Sequence, residues 1–308
     1  MVKVTLQDGS QKKFGNGVTG FEIAEEISLS LSKNAVAMLV DGVQRDLSDT
    51  LEKDATVSII TLKDEIGLDI MRHTLTAQVL AKAIKNLFPD SMLAIGPTIE
   101  NGFYYDVLFK KPISSDDLPR IEDEMKKIIK GGSDIKKIIK KKDDVVSLFK
   151  DLKEPYKIKI INESSQNENF QIYQQTNSNF IDLCRGPHLP SLKHIGEFKL
   201  TKLSGAYWRG DSKNEMLQRI YGTAWRNKKE LDEYLTMIEE SEKRDHRKLG
   251  KEMDLFHFQD DAPGSVFWHP KGWIIFQELV NYMRKRQIES DYIEISTPTV
   301  LDRSLWEK

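Results

Sequence analysis

The opening residues alternate apolar and polar side chains, with Val2, Val4 and Leu6 in step, and the alternation stops at Asp8-Gly9. A period of two is the pattern of a strand with one buried face. Asp-Gly is a strong hairpin signal, so Gln11 to Phe14 is read as the return strand. The period then changes: Thr19 with Glu22 has the form of a capping box, and Ile23, Ile27 and Leu31 recur at helical spacing. Val36, Met38 and Val40 resume the alternation up to a second Asp-Gly pair, Asp41-Gly42, and Val57, Ile59 and Ile60 close the unit. Two strands, a helix and further strands restrict 1–62 to a small mixed sheet packed on one helix, a β-grasp arrangement. No His or Cys precedes His73, so this unit carries no catalytic constellation of its own.

The chain has 308 residues, too many for one typical domain, and the pattern predicts an α+β multidomain protein. Residues 63–226 read as a larger α+β region. Its first helix spans 69–87, with Ile70, Leu75, Val79, Leu80 and Ile84 on the apolar face and His73 in its first turns. Strand-like stretches follow at 92–105, 156–161 and 170–181, and 196–222 alternates between short strands and glycine turns at Gly205 and Gly210. Residues 227–253 are charged, with Leu231, Leu235 and Ile238 on one stripe, and read as a connecting helix. The last segment, 254–308, shows a helix over 272–287 and a strand over 292–297 stopped by Pro298. One helix and one strand are too little to close a core, so the chain reads as truncated, its tail beyond about residue 254 unable to fold alone and the fragment monomeric.

Charge excludes little. The formal net charge is −2, so a nucleic-acid partner must meet a local basic patch instead of the overall field. The Lys-rich stretch 126–142 could touch phosphates, but reads more simply as a surface helix with Ile128, Ile129, Ile138 and Ile139 turned inward. No run approaches the roughly 18 apolar residues that cross a bilayer, and the first residues lack a signal-peptide pattern; a cytoplasmic protein with no membrane partner is expected. The single Cys184 cannot form an internal disulfide. With His188 it makes a Cys-x3-His spacing bent by Arg185-Gly186-Pro187. That spacing fits a packed thiol beside a hydrogen-bonded histidine, a metal-binding pair, or a pair orienting water in a hydrolytic pocket.

Several longer segments occur in order along the whole chain: Met71-Arg72-His73, Ala94 to Pro97, Asn101 to Asp106, Asp182 to His188, Gly205 to Asp211, Gln218 to Trp225, Arg244 to Lys248 and Asp302 to Glu307. With these landmarks the chain resembles the N-terminal portion of threonyl-tRNA synthetases. The resemblance implies a TGS domain at 1–62 and an editing domain at 63–226, of the kind shared with alanyl-tRNA synthetases. A connecting helix at 227–253 and the start of a class II antiparallel-sheet core at 254–308, ending in motif 1 of the dimer interface, complete it. It implies the tRNA(Thr) acceptor arm as partner, a homodimer in the intact enzyme, and water attack on the ester of Ser-tRNA(Thr). Serine differs from threonine by one methyl, worth only about 1–3 kcal/mol of discrimination, hence the hydrolytic check.

Carried over residue by residue, the resemblance places His73, Lys157, Asp182, Cys184 and His188 in the catalytic pocket, with Tyr104 and Arg185 contacting substrate. The parent reaction uses ATP and zinc, whose binding residues are expected beyond Lys308; no cofactor is expected in this chain. One departure is plain. The family's helix carries histidines at i and i+4, which face the same way, and here the second position is Ala77. Gln78 lies about 100° further round a regular helix. A four-ligand zinc site is therefore not expected, and the departure opens a second reading, a tRNA-binding or regulatory fragment whose pocket only grips the acceptor end.

Overall fold

The computed structural model describes every residue except 167, 299–301, 306 and 308. The chain divides into two compact units, 1–233 and 234–308.

In the first unit the N-terminal alternation forms β1 (Val2–Leu6) and β2 (Gln11–Phe14), paired antiparallel with Val2 and Val4 buried. Helix α1 (Gly20–Ile27) starts at the expected capping box: the Thr19 hydroxyl accepts from the Glu22 N–H, and the Glu22 carboxylate accepts from the Thr19 N–H. Strands β3 (Ala35–Val40), β4 (Val43–Arg45) and β5 (Ala55–Thr61) complete a five-stranded sheet of order β2-β1-β5-β3-β4. Its β1–β5 pair is parallel and the rest antiparallel. Ile23 and Ala24 of α1 join Val4, Met38 and Val57 of the sheet in one buried cluster.

The helix expected over 69–87 is longer at its start: α2 (Glu65–Thr74) passes through a π-helical turn at Leu75–Leu80 into α3 (Ala81–Leu87). Then follow β6 (Gly102–Leu108), α4 (Leu118–Lys130), β7 (Ile135–Lys141), α5 (Lys142–Asp151), α6 (Pro155–Glu163), β8 (Asn169–Gln175), β9 (Ile181–Leu183), β10 (Glu197–Tyr207) and β11 (Met216–Trp225). Strands β10, β11 and β6 make an antiparallel sheet in that order, and β7, β8 and β9 make a smaller one. Leu68, Met71, Leu75, Val79 and Ile84 of the helix share a core with Phe103, Tyr105 and Val107 of β6 and Ile220 of β11. Val36, Ala37 and Ile60 of the N-terminal sheet belong to the same core.

Four sequence expectations are corrected here. The stretch 126–142 is not one helix, because α4 stops at Lys130 before Gly131-Gly132 and the chain re-emerges as β7. With a period of two, Ile138 packs inward while Ile139 is 61% exposed, so the four isoleucines do not share a face. Residues 156–161 form a helix, not a strand: Pro155 sits in its first turn, where the missing N–H costs nothing, and Tyr156 and Ile161 are buried. The span 196–222 is dominated by two long strands, and Gly205 pairs with Gln218 inside that ladder instead of turning the chain. The connecting helix is two helices, α7 (Lys228–Lys243) and α8 (His246–Glu252), the second started by Asp245, whose carboxylate accepts from the Arg247 N–H.

In the second unit, short paired strands Phe256–His257 and Phe267–Trp268 precede α9 (Pro270–Glu289). Among the residues of α9 only Gly272 is buried. The strand expected over 292–297 is not formed: a strand needs a ladder partner, none pairs with it among the described residues, and Ile293 is 87% exposed. Part of the 302–307 landmark, residue 306, lies outside the described residues. No helix among the described residues is long and apolar enough to cross a membrane.

Candidate functional site

A cavity of about 430 Å³ opens between α2 and its π-turn, α6, β8 and β9, and the segment after β9. His73, Ala77, Tyr105, Lys157, Gln171, Asp182, Cys184, Arg185 and Arg209 all line it. Four of the five residues expected to work together, His73, Lys157, Asp182 and Cys184, thus come from a helix, a second helix, a strand and a loop to line one cavity, whereas His188 does not line it and packs against His73.

Cys184 Sγ lies 3.0 Å from His73 Nε2, and the Gly186 N–H points back at the same sulfur, 3.4 Å away. Burial lowers the His73 pKa below the ordinary 6.5, against the opposing pull of Asp182 and a backbone hydrogen bond at Pro187. A neutral imidazole beside a thiol can accept a proton from it or from a water.

Behind it, the His188 and His73 rings are 4.6 Å apart. The tautomer of His188 follows from its neighbour. Thr74 spends its one O–H on the Ile70 carbonyl, 2.8 Å away, so its oxygen can only accept from the Leu189 N–H and from His188 Nδ1, at 3.0 and 3.1 Å. A neutral His188 therefore carries its proton on Nδ1 and presents a bare Nε2, buried and without a protein partner.

The same cavity is lined by a buried ionic group. Lys157 Nζ pairs with Asp182 Oδ1 at 2.7 Å, both side chains at most 4% exposed. The Tyr105 hydroxyl lies 3.2 Å from Asp182 Oδ2 and 3.1 Å from Lys157 Nζ. The Leu183 N–H also donates to Asp182 Oδ1, at 2.8 Å. Burial first, and then the Asp182 charge, push the Tyr105 pKa well above the usual 10.0, so the phenol stays a neutral donor. At the mouth, Arg185 is exposed and Arg209 is ion-paired to Glu163.

Tyr104 is corrected. On β6 successive side chains point to opposite faces, so Tyr104 and Tyr105 cannot both face the cavity. Tyr105 does. Tyr104 lies on the other face under the Arg219 guanidinium, 3.8 Å from its ring centre, beside Tyr221. Tyr105, Arg209 and Gln171, whose Oε1 is buried without a protein partner, were missed. Strand parity could have flagged Tyr105; nothing local marks Gln171.

His73, Cys184 and His188 bring three potential metal-ligand atoms within 4.8 Å of one another. Ala77 lines the cavity one turn on from His73 and offers a methyl, while Gln78 is buried and not part of the lining. Tetrahedral zinc, with bonds of about 2.0 Å to nitrogen and 2.3 Å to sulfur, sets its ligand atoms roughly 3.5 Å apart. The 3.0 Å between His73 Nε2 and Cys184 Sγ is a hydrogen-bond separation, and the trio as it stands fits a thiol–imidazole pair better than a metal cage.

The TGS domain profile matches residues 2–61, and the profile of the threonyl and alanyl tRNA synthetase second additional domain matches residues 170–221. Over its whole length the chain is 56% identical to a threonine–tRNA ligase of Pelagibacter ubique and 53% identical to one of Legionella pneumophila. A threonine–tRNA ligase of Rickettsia typhi, also matched over the whole chain, is 50% identical. The chain spans about half the length, 48%, of each of these curated relatives. Along its whole length the chain is thus similar to threonine–tRNA ligases, and its two matched domains are consistent with their N-terminal portion.

Proposed function

We propose that the cavity binds the acceptor end of tRNA(Thr) and hydrolyses the ester of mischarged Ser-tRNA(Thr). The observation that carries this reading is that the His73–Cys184 pair at 3.0 Å and the buried Lys157–Asp182–Tyr105 group line one cavity. Water would add to the ester carbonyl, passing a proton to the His73–Cys184 pair. The resulting oxyanion would face the Lys157 ammonium. Collapse would break the bond to the ribose oxygen, which takes the proton and leaves as the free hydroxyl with serine released. The Gln171 Oε1 and Asp182 are acceptors for the seryl amine or hydroxyl, and Arg185 and Arg209 suit the phosphates at the mouth. Residues 254–308 are assigned to the start of a class II core of the kind that attaches threonine to tRNA with ATP, within a homodimer.

Ala77 favours one rival, a pocket that grips the acceptor end without hydrolysing it. Deacylation of Ser-tRNA(Thr) by the wild type, Cys184→Ala and Ala77→His discriminates. The hydrolytic reading expects a wild-type rate above buffer that Cys184→Ala reduces about 100-fold. A background rate in the wild type, restored by Ala77→His, establishes the rival.

A further inference from the structure

The acid that holds the Cys184–His188 segment in place comes from the N-terminal sheet. Asp46 follows β4, and its side chain is 9% exposed. Its Oδ1 accepts from the His188 backbone N–H at 3.0 Å, and its Oδ2 accepts from the Tyr173 hydroxyl at 2.7 Å and pairs with Lys137 Nζ at 3.2 Å. One carboxylate thus ties the loop to β8 and β7. Asp46 is itself fixed: its carbonyl accepts from the Asp49 N–H, and the adjacent Leu47 is buried in the N-terminal core at 2% exposure.

The loop is packed directly on this anchor. Gly186 has φ 67°, and a Cβ there would lie 1.9 Å from the Tyr173 hydroxyl and 3.3 Å from Asp46 Oδ2. The Tyr173 ring stands edge-on to His188 with centres 4.4 Å apart, and His188 in turn lies against His73. A displacement at Asp46 therefore passes through Tyr173 and the loop backbone to the thiol–imidazole pair. Charged neighbours are few: Lys137 faces Asp46 directly and is shared with Asp49 at 2.7 Å.

We propose that Asp46 is a positioning residue supplied by the N-terminal domain, holding the Cys184–His188 segment in register with His73 so that the cavity is complete only while the two domains are docked. The catalytic consequence rests on the hydrolytic reading of the cavity; the positioning does not.

Cys184 is the only cysteine among the 308 residues, so its alkylation by iodoacetamide reports the loop directly in this chain. Asp46→Ala, with its circular dichroism spectrum retained, is expected to alkylate about fivefold faster or more, because the segment opens more often. Asp49→Ala, which leaves the bonds to His188 and Tyr173 in place, should stay within about twofold of wild type. Should Asp46→Ala fail to fold, Asp46→Asn, which keeps an acceptor oxygen but loses the charge facing Lys137, is expected to show an intermediate rate. In Ser-tRNA(Thr) hydrolysis, Asp46→Asn should lower kcat about tenfold with KM nearly unchanged, the signature of a misplaced group. Wild-type alkylation in a folded Asp46 variant overturns the proposal, as does a change in KM alone. If the wild type hydrolyses nothing, the functional reading fails while the alkylation series still decides the positioning.

Discussion

Cys184 meets His73 because a loop residue and a helix residue 111 positions apart are pressed together by the packing around His188. The residues themselves were legible in the sequence; the contact depends on long-range docking that no local pattern encodes. The adjacent tyrosines show the limit sharply: Tyr104 and Tyr105 are equal in composition, and only the register of β6 with β11 turns Tyr105 inward. Lys157 reaches its partner from a helix, not from the expected strand. Replacing it by Met strands a buried Asp182, so Lys157→Met should lose about 3–5 kcal/mol in chemical denaturation. Unchanged stability would mean that the pair is solvated. Burial disfavours the His73 imidazolium, so the neutral, proton-accepting form persists below the ordinary 6.5 as pH falls. The acid limb of the hydrolysis rate should accordingly lie below pH 6.5, and a limb above that value would place another group in control.

Elements whose pattern is carried by their own residues were legible: the hairpin at Asp8-Gly9, the capped start of the helix after Thr19, and the strand β3, although β3 is buried on both faces and the helix stops at Ile27 before Leu31. Thr19→Ala removes the acceptor for the Glu22 N–H and should cost about 1 kcal/mol in urea unfolding, with no effect on the cavity. The Glu22 carboxyl, held below its usual 4.5 by the Thr19 backbone N–H, contributes above that pH, and its share fades as pH falls through the lowered value. Misread elements share a cause. In 126–142 and 156–161, isoleucines spaced irregularly among lysines fit either period, and Gly131-Gly132 and Pro155 decided the outcome. The strand over 292–297 failed differently: its alternation is genuine, but a strand exists only with a neighbour to pair with.

At the scale of the molecule, the succession of a small N-terminal sheet and a larger α+β region was legible from changes of period along the chain. Their mutual dependence was not. Val36, Ala37 and Ile60 of the first sheet are part of the core beneath the cavity, and Asp46 reaches across to its loop. The same architecture lines one cavity with the thiol–imidazole pair and the lysine–aspartate–tyrosine group, a proton acceptor and a cation in one site. The most direct test is single-turnover deacylation of Ser-tRNA(Thr) and Thr-tRNA(Thr) by the wild-type chain. Hydrolysis of the seryl ester is expected to be at least about tenfold faster than that of the threonyl ester, the discrimination one methyl can supply. Equal rates, or background rates with both, would contradict it.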